Sequence, residues 1–112
     1  MTEVLFISTA SRMLGMHPQT LRKYERLGLI QPNRTVGSMR LYSPEQIDRL
    51  RLIKYMVDEL GINLAGVQHL LSITEGVERL SLLVSHDALS RRGGRHRLIR
   101  EVQHLRELLG LS

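Results

Sequence analysis

The side chains best suited to chemistry lie in one short run, His17 to Arg26. If Pro18 to Leu27 is wound as a helix at about 100° per residue, Gln19, Arg22, Lys23 and Arg26 fall between about 100° and 200° from Leu21. Tyr24 and Leu27 fall near about 300° and 240° on the same wheel. One face therefore carries an amide and three cations, and the other is apolar. This is recognition chemistry rather than catalysis. Arg and Lys can reach guanine edges or phosphates, and Gln can pair with adenine in a major groove. The N-terminal turn, His17 to Thr20, adds free N–H groups at the positive end of the helix dipole. His17 can donate to a phosphate or simply start the helix, and the two readings weigh equally. Tyr24 reads as core. Glu25 could discriminate bases, but at about 40° on the wheel it is placed to pair with an arginine.

A basic helix face alone also describes an ordinary solvated surface, so the charge distribution matters. The chain of 112 residues carries 16 Lys+Arg and 11 Asp+Glu, a net charge of +5. Residues 1 to 57 hold nine basic and four acidic side chains, whereas residues 58 to 112 hold seven of each. Arg12, Arg22, Lys23, Arg26, Arg34 and Arg40 face only Glu25 across their interval. A positive field so concentrated suits a polyanion. The length suits one domain, with roughly 65% of the unfolded surface buried on folding. The 42% hydrophobic and 24% charged content is that of a globular chain.

Other chemistries find little support. With no cysteine there is no disulfide, thiolate metal site or Cys nucleophile, which suits a reducing cytoplasm. No Ser-His-Asp arrangement, paired-carboxylate cleft or phosphate-cradling loop is discernible, so an enzyme is not expected. His96 and His104 with Glu101 and Glu107 lack the spacing of a closed zinc site and read as surface residues. No metal or cofactor is expected. No run reaches eighteen apolar residues, and the start, MTEVLFISTASR, lacks a basic lead-in. Neither a membrane span nor a signal peptide is therefore expected.

The elements that must position the basic face are mostly helical, since Leu and Ile recur at helical spacing and aromatics are few. Ser8 is expected to cap a helix running through Leu14, which Gly15 stops. Pro18 opens the next helix, giving a helix-turn-helix unit. Arg34-Thr35-Val36 and Met39-Arg40-Leu41-Tyr42 flank Gly37-Ser38 as a short hairpin. Ser43-Pro44-Glu45-Gln46 reads as a capping box, with Ile47, Leu50, Ile53 and Val57 inward and Arg49, Arg51 and Lys54 outward. Asn63 is expected to cap a fourth helix through Leu71. Further on, Ile73, Val77, Leu80 and Val84 repeat the spacing of Leu98, Val102, Leu105 and Leu109, as a coiled-coil seam would. The seam is lost around Arg91 to Arg95, where Gly93-Gly94 breaks or turns the chain. Arg91, Arg92, Arg95 and Arg97 read as a solvated basic linker, with contact to DNA or an acidic partner as the alternative.

The runs GMHPQTLRKYERLGLI and RTVGSMRLYSPEQIDRLRLI resemble the winged-helix head of MerR-type transcription regulators. Shared features are a recognition helix ending in Tyr-Glu and Gly-Leu, a wing ending Arg-x-Tyr, and a second helix pair. Gly15-Met16-His17-Pro18-Gln19-Thr20-Leu21-Arg22 and Gly61-Ile62-Asn63-Leu64-Ala65-Gly66-Val67 are similar to the HspR heat-shock repressor branch. The resemblance covers roughly Leu5 to Ile73 and not the tail. It implies that Gln19, Thr20, Arg22, Lys23 and Arg26 meet DNA and that Arg40 and Tyr42 contact its backbone. His17 and Arg34 complete the expected DNA-facing set. Lys23 stands where many relatives have Tyr, which makes its contact more purely electrostatic. Metal- and thiol-sensing branches use Cys ligands in the tail, and this chain has none.

The expected fold is therefore mainly α. A winged helix-turn-helix head with a short β-hairpin wing and a second helix pair occupies residues 1–74. A helical dimerisation tail, interrupted near 91–95, occupies residues 75–112. The expected function is a sequence-specific double-stranded DNA-binding regulator, a repressor of stress or heat-shock genes acting on an inverted repeat as a homodimer. It would be cytoplasmic and associated with the nucleoid when bound. The resemblance alone implies a DnaK-type chaperone as co-repressor. Val77, Leu80, Val84, Leu98, Val102, Leu105 and Leu109 are the expected dimer contacts, although the tail can instead fold back as a hairpin. The alternatives are an excisionase-like architectural protein or an interaction adaptor with a basic face.

Overall fold

The computed structural model of the chain describes residues 3–85 and 89–111. Two compact units divide between Ile62 and Asn63.

The first unit begins with a two-residue strand, β1 (Leu5–Phe6), that runs directly into α1 (Ile7–Leu14). Ser8 is not the cap. Phe6 holds the N-cap position with no side-chain bond, and Ser8 lies inside the helix, its carbonyl accepting from Ser11 Oγ at 3.1 Å. The strand supplies what the cap would have supplied, because pairing with the sheet fixes the entry of the chain. Gly15 closes α1 in the left-handed region at φ 64°. Its N–H reaches the Arg12 carbonyl and that of Met16 reaches Ser11, which satisfies the orphan carbonyls of the last turn. The next helix, α2 (Pro18–Arg26), starts only two residues further on.

Two more strands follow, β2 (Asn33–Arg34) and β3 (Arg40–Tyr42), in the antiparallel order β1-β3-β2. Leu5 pairs with Tyr42 and Arg34 with Arg40. The expected hairpin is thus the wing of a three-stranded sheet. Two residues of β1 are too few for an alternating pattern to mark a strand. The turn also differs in detail, because Ser38 rather than Gly37 takes positive φ, at 65°.

Ser43 caps α3 (Pro44–Lys54) as expected, its Oγ accepting from the Gln46 N–H at 3.2 Å. The other half of the box does not form. Gln46 instead exchanges two bonds with the Gln31 backbone, at 3.2 and 3.0 Å. Ile47, Leu50 and Ile53 are buried. Arg49 is not simply outward, since its Nε donates to the Leu29 carbonyl at 2.6 Å. The helix ends in a wider π-type turn, Tyr55–Glu59. The core of this unit gathers Ala10, Leu21, Leu29, Tyr42, Leu50 and Ile53.

In the second unit, Asn63 Oδ1 accepts from the Gly66 N–H at 2.8 Å and opens α4 (Leu64–Leu83). These twenty residues span about 30 Å and merge the expected fourth helix with the first seam segment. The expected head–tail boundary after residue 74 lies inside this helix. Gly93, at φ 78°, precedes α5 (Gly94–Leu108). The helices pack as an antiparallel hairpin that crosses where a Cβ on Gly76 would overlap Leu105. Arg79 Nε donates to Glu101 Oε2 across the pair at 3.1 Å. No helix among the described residues is long and apolar enough to cross a membrane.

Candidate nucleic-acid interface

Helix α2 is built to show one face. His17 caps it, with its Nδ1 accepting from the Gln19 N–H at 3.0 Å, and Pro18 takes the first position. The structure therefore gives His17 a defined role at the helix start, with its ring exposed. Leu21 and Tyr24 are buried, as the wheel requires. Burial, then the charge of Asp58, pushes the Tyr24 phenol up from its ordinary value. Gln19, Lys23 and Arg26 are exposed, while Thr20 and Arg22 are half-buried. Among the described residues no acidic side chain forms an ion pair with Arg22, Lys23 or Arg26.

The wing arginines are held differently. Glu25 accepts from Arg40 Nε at 2.5 Å and from Arg34 Nη2 at 2.6 Å, which ties the wing to α2. Arg34 also donates through Nη1 to the Ser38 carbonyl at 3.1 Å. Burial works to raise the Glu25 carboxyl. The hydrogen bonds from Arg40 and Arg34, with their charges, outweigh it and hold the carboxyl below its ordinary value. Wheel position and the local excess of arginine were signals enough for this pairing. Its two partners were legible only once the wing was folded.

Tyr42 departs from expectation. It is fully buried, and its hydroxyl has no hydrogen-bond partner among the described residues. Strand alternation puts it on the same sheet face as Arg40, and that face is turned inward. Burial raises its pKa against the opposing charge of Arg40, with Glu25, Arg34 and Arg22 also close enough to act. As folded, it presents no surface to a DNA backbone. Arg40 is half-buried and Arg34 exposed, so these two remain accessible.

The expected dimer set splits. Leu105 is buried against α4 and serves the hairpin itself, while Leu80 and Leu98 are half-buried. Val77, Val84, Val102 and Leu109 remain exposed, at 47%, 51%, 41% and 54%. Among the described residues no group of three or more His, Asp or Glu could hold a metal ion.

A second helix with an unpaired cationic face, followed by a wing, defines a winged helix-turn-helix unit. A family model for MerR HTH regulatory proteins matches residues 6–73, and the chain belongs to that family. The heat shock protein HspR of Streptomyces coelicolor is 44% identical over 79 residues, covering 70% of this chain and 52% of the relative. A mercuric resistance operon regulatory protein of Bacillus cereus is 45% identical over 62 residues, covering 54% of this chain and 46% of its own. The chain thus spans about half the length of these curated relatives. The crystal structure of HiNmlR, a MerR family regulator lacking the sensor domain and bound to promoter DNA, superposes with a TM-score of 0.60. That likeness covers 96% of this chain and 80% of the other at 19% identity, and it concerns the fold.

Proposed function

We propose that this chain binds double-stranded DNA sequence-specifically and represses stress genes, heat-shock genes among them, as a homodimer on an inverted repeat. The observation that carries the reading is the uncompensated face of α2. Glu25 is committed to the wing, and among the described residues Arg22, Lys23 and Arg26, with Gln19 beside them, have no acidic neighbour in ion-pair contact. Thr20, His17, Arg34 and Arg40 flank that face, and Tyr42 acts by supporting the wing. The heat-shock role rests on the likeness to HspR, as does a DnaK-type chaperone acting as co-repressor.

Two copies double the base and phosphate contacts and match a two-fold site. The exposed Val77, Val84, Val102 and Leu109 supply an apolar flank for that pairing. The head is assigned to residues 1–74 and the pairing segment to residues 75–112. The compartment is the bacterial cytoplasm.

Selection of bound genomic fragments, followed by titration at several salt concentrations, tests the reading. One preferred inverted repeat and a steep salt slope are expected. Equal weak binding to every fragment overturns it. R22A or K23A should cost about 1–3 kcal/mol if the side chain reads a base, or lower affinity uniformly if it meets phosphate. V102D should shift the protein toward monomer in sedimentation. Leu105 is unsuitable for that test, because it holds the hairpin together. Added DnaK-type chaperone should tighten repeat binding, and no change removes the co-repressor from the reading.

A further inference from the structure

The α4–α5 hairpin has two unlike flanks. The contact line between the helices runs through Gly76 and Leu105. At about 100° per residue, Val77, Leu80 and Val84 turn to one side of that line, with Val102 and Leu109 of α5 on the same side. Arg79, Leu82, Arg97, Arg100 and His104 turn to the other. The apolar flank is the one assigned above to a second copy. The opposite flank holds a groove of about 510 Å³.

Leu82 and Leu83 form an apolar wall, and Leu82 stands 71% exposed. Arg79, Arg97, Arg100 and His104 surround it, with Glu101 as the single acid. Glu101 is half engaged: Oε2 accepts from Arg79, and Oε1 is buried near Gly76 with no hydrogen-bond partner among the described residues. Among the described residues Arg97 donates to the Arg92 carbonyl alone, at 3.3 Å. Neither Arg97 nor Arg100 has an acidic partner among the described residues. An apolar wall beside two unpaired guanidinium groups is complementary to a carboxylate with a hydrocarbon body. The volume is that of a small-molecule site. From Arg97 to His104 the groove runs about 10 Å, too short for the area that a stable protein interface buries.

We propose that this groove binds a small amphipathic carboxylate, its head group on Arg97 and Arg100 and its chain on Leu82 and Leu83. The site shares no residue with the α2 face, so it can be tested without DNA.

Titration calorimetry of the full chain with octanoate, 1-octanol and octylammonium tests the assignment. Octanoate should bind saturably, one per chain, and octylammonium should not bind. R97Q/R100Q should weaken octanoate at least tenfold with unchanged circular dichroism and unchanged DNA binding. L82N should weaken it as well, whereas K23Q should bind octanoate like the parent. Equal affinity for octanol, indifference to R97Q/R100Q, or no saturable binding at millimolar octanoate would each overturn the proposal. So would an acidic amphipathic peptide that binds where octanoate does not. Loss of DNA recognition with octanoate binding intact would strike the regulatory reading alone.

Discussion

Among the described residues, twelve of the fifteen buried hydrophobic ones lie between Leu5 and Met56, and only Val67, Leu71 and Leu105 lie beyond Ile62. The first unit joins its elements through many side chains. The sheet, the Glu25 clamp, the Gln46–Gln31 exchange and the Arg49–Leu29 bond each tie segments distant in sequence. In the second unit, α4 and α5 pack along an extended contact whose closest approach is at Gly76 and Leu105, with the Arg79–Glu101 pair beside it. A unit held at many points tolerates loss at a partly exposed one. A unit built from one helix pair depends on the glycine at its closest approach staying bare.

The contrast can be broken in several places. Leu21 has no exposed surface, and truncating it to alanine should cost about 2–5 kcal/mol in denaturant unfolding. The comparable change at exposed Val102 should stay within about 0.5 kcal/mol. If the two costs are equal, the contrast fails.

Next comes G76A, whose new Cβ collides with Leu105 and crowds Glu101 at 3.2 Å. We expect a loss of about 1–3 kcal/mol from overpacking. G76A/L105A should recover part of it, measured as a coupling energy in a double-mutant cycle. Strict additivity would mean that the crossing is not where the hairpin is held.

The Glu25 clamp is partly exposed, so E25Q should cost only about 1 kcal/mol. Its pH dependence is the sharper test. The carboxyl sits below its ordinary value of 4.5, so its stabilisation is fully present above that pH. It is lost as pH falls through the lowered native value, because the protonated group no longer holds two cations. The parent should lose its advantage over E25Q across that acidic range, and a gap that persists at the lowest pH would rule the clamp out. The smallest effect is expected at the wing turn. S38G relieves a left-handed backbone and should raise stability by about 0.5 kcal/mol in thermal melts.

Much of the first unit was legible because local signals agreed there. Gly15, Pro18 and Ser43 each mark a helix end through a specific bond or dihedral, as Asn63 does where the second unit begins, and the α2 wheel placed Leu21 and Tyr24 inside. What escaped depended on partners far along the chain. The strand Leu5–Phe6 exists because β3 passes beside it, and Gln46 leaves its expected bond because the Gln31 backbone is within reach. The family resemblance implied that Tyr42 meets the DNA backbone, yet the sheet face it shares with Arg40 turns inward. In the tail, periodicity found the apolar positions but could not assign them. Leu105 and Val102 occupy equivalent seam positions, and only the crossing at Gly76 makes one internal and leaves the other bare.

The link between Glu25 and two wing arginines also fixes a length. Helix α2 and the wing tip at Val36, where the side chain is wholly exposed, cannot adjust their separation independently. For a head that engages a duplex at both places, the spacing between neighbouring grooves becomes part of what is selected. Sequences that narrow or widen a groove at little elastic cost gain affinity at base pairs no side chain touches. Releasing the wing would then loosen discrimination among operators before it weakened overall attachment.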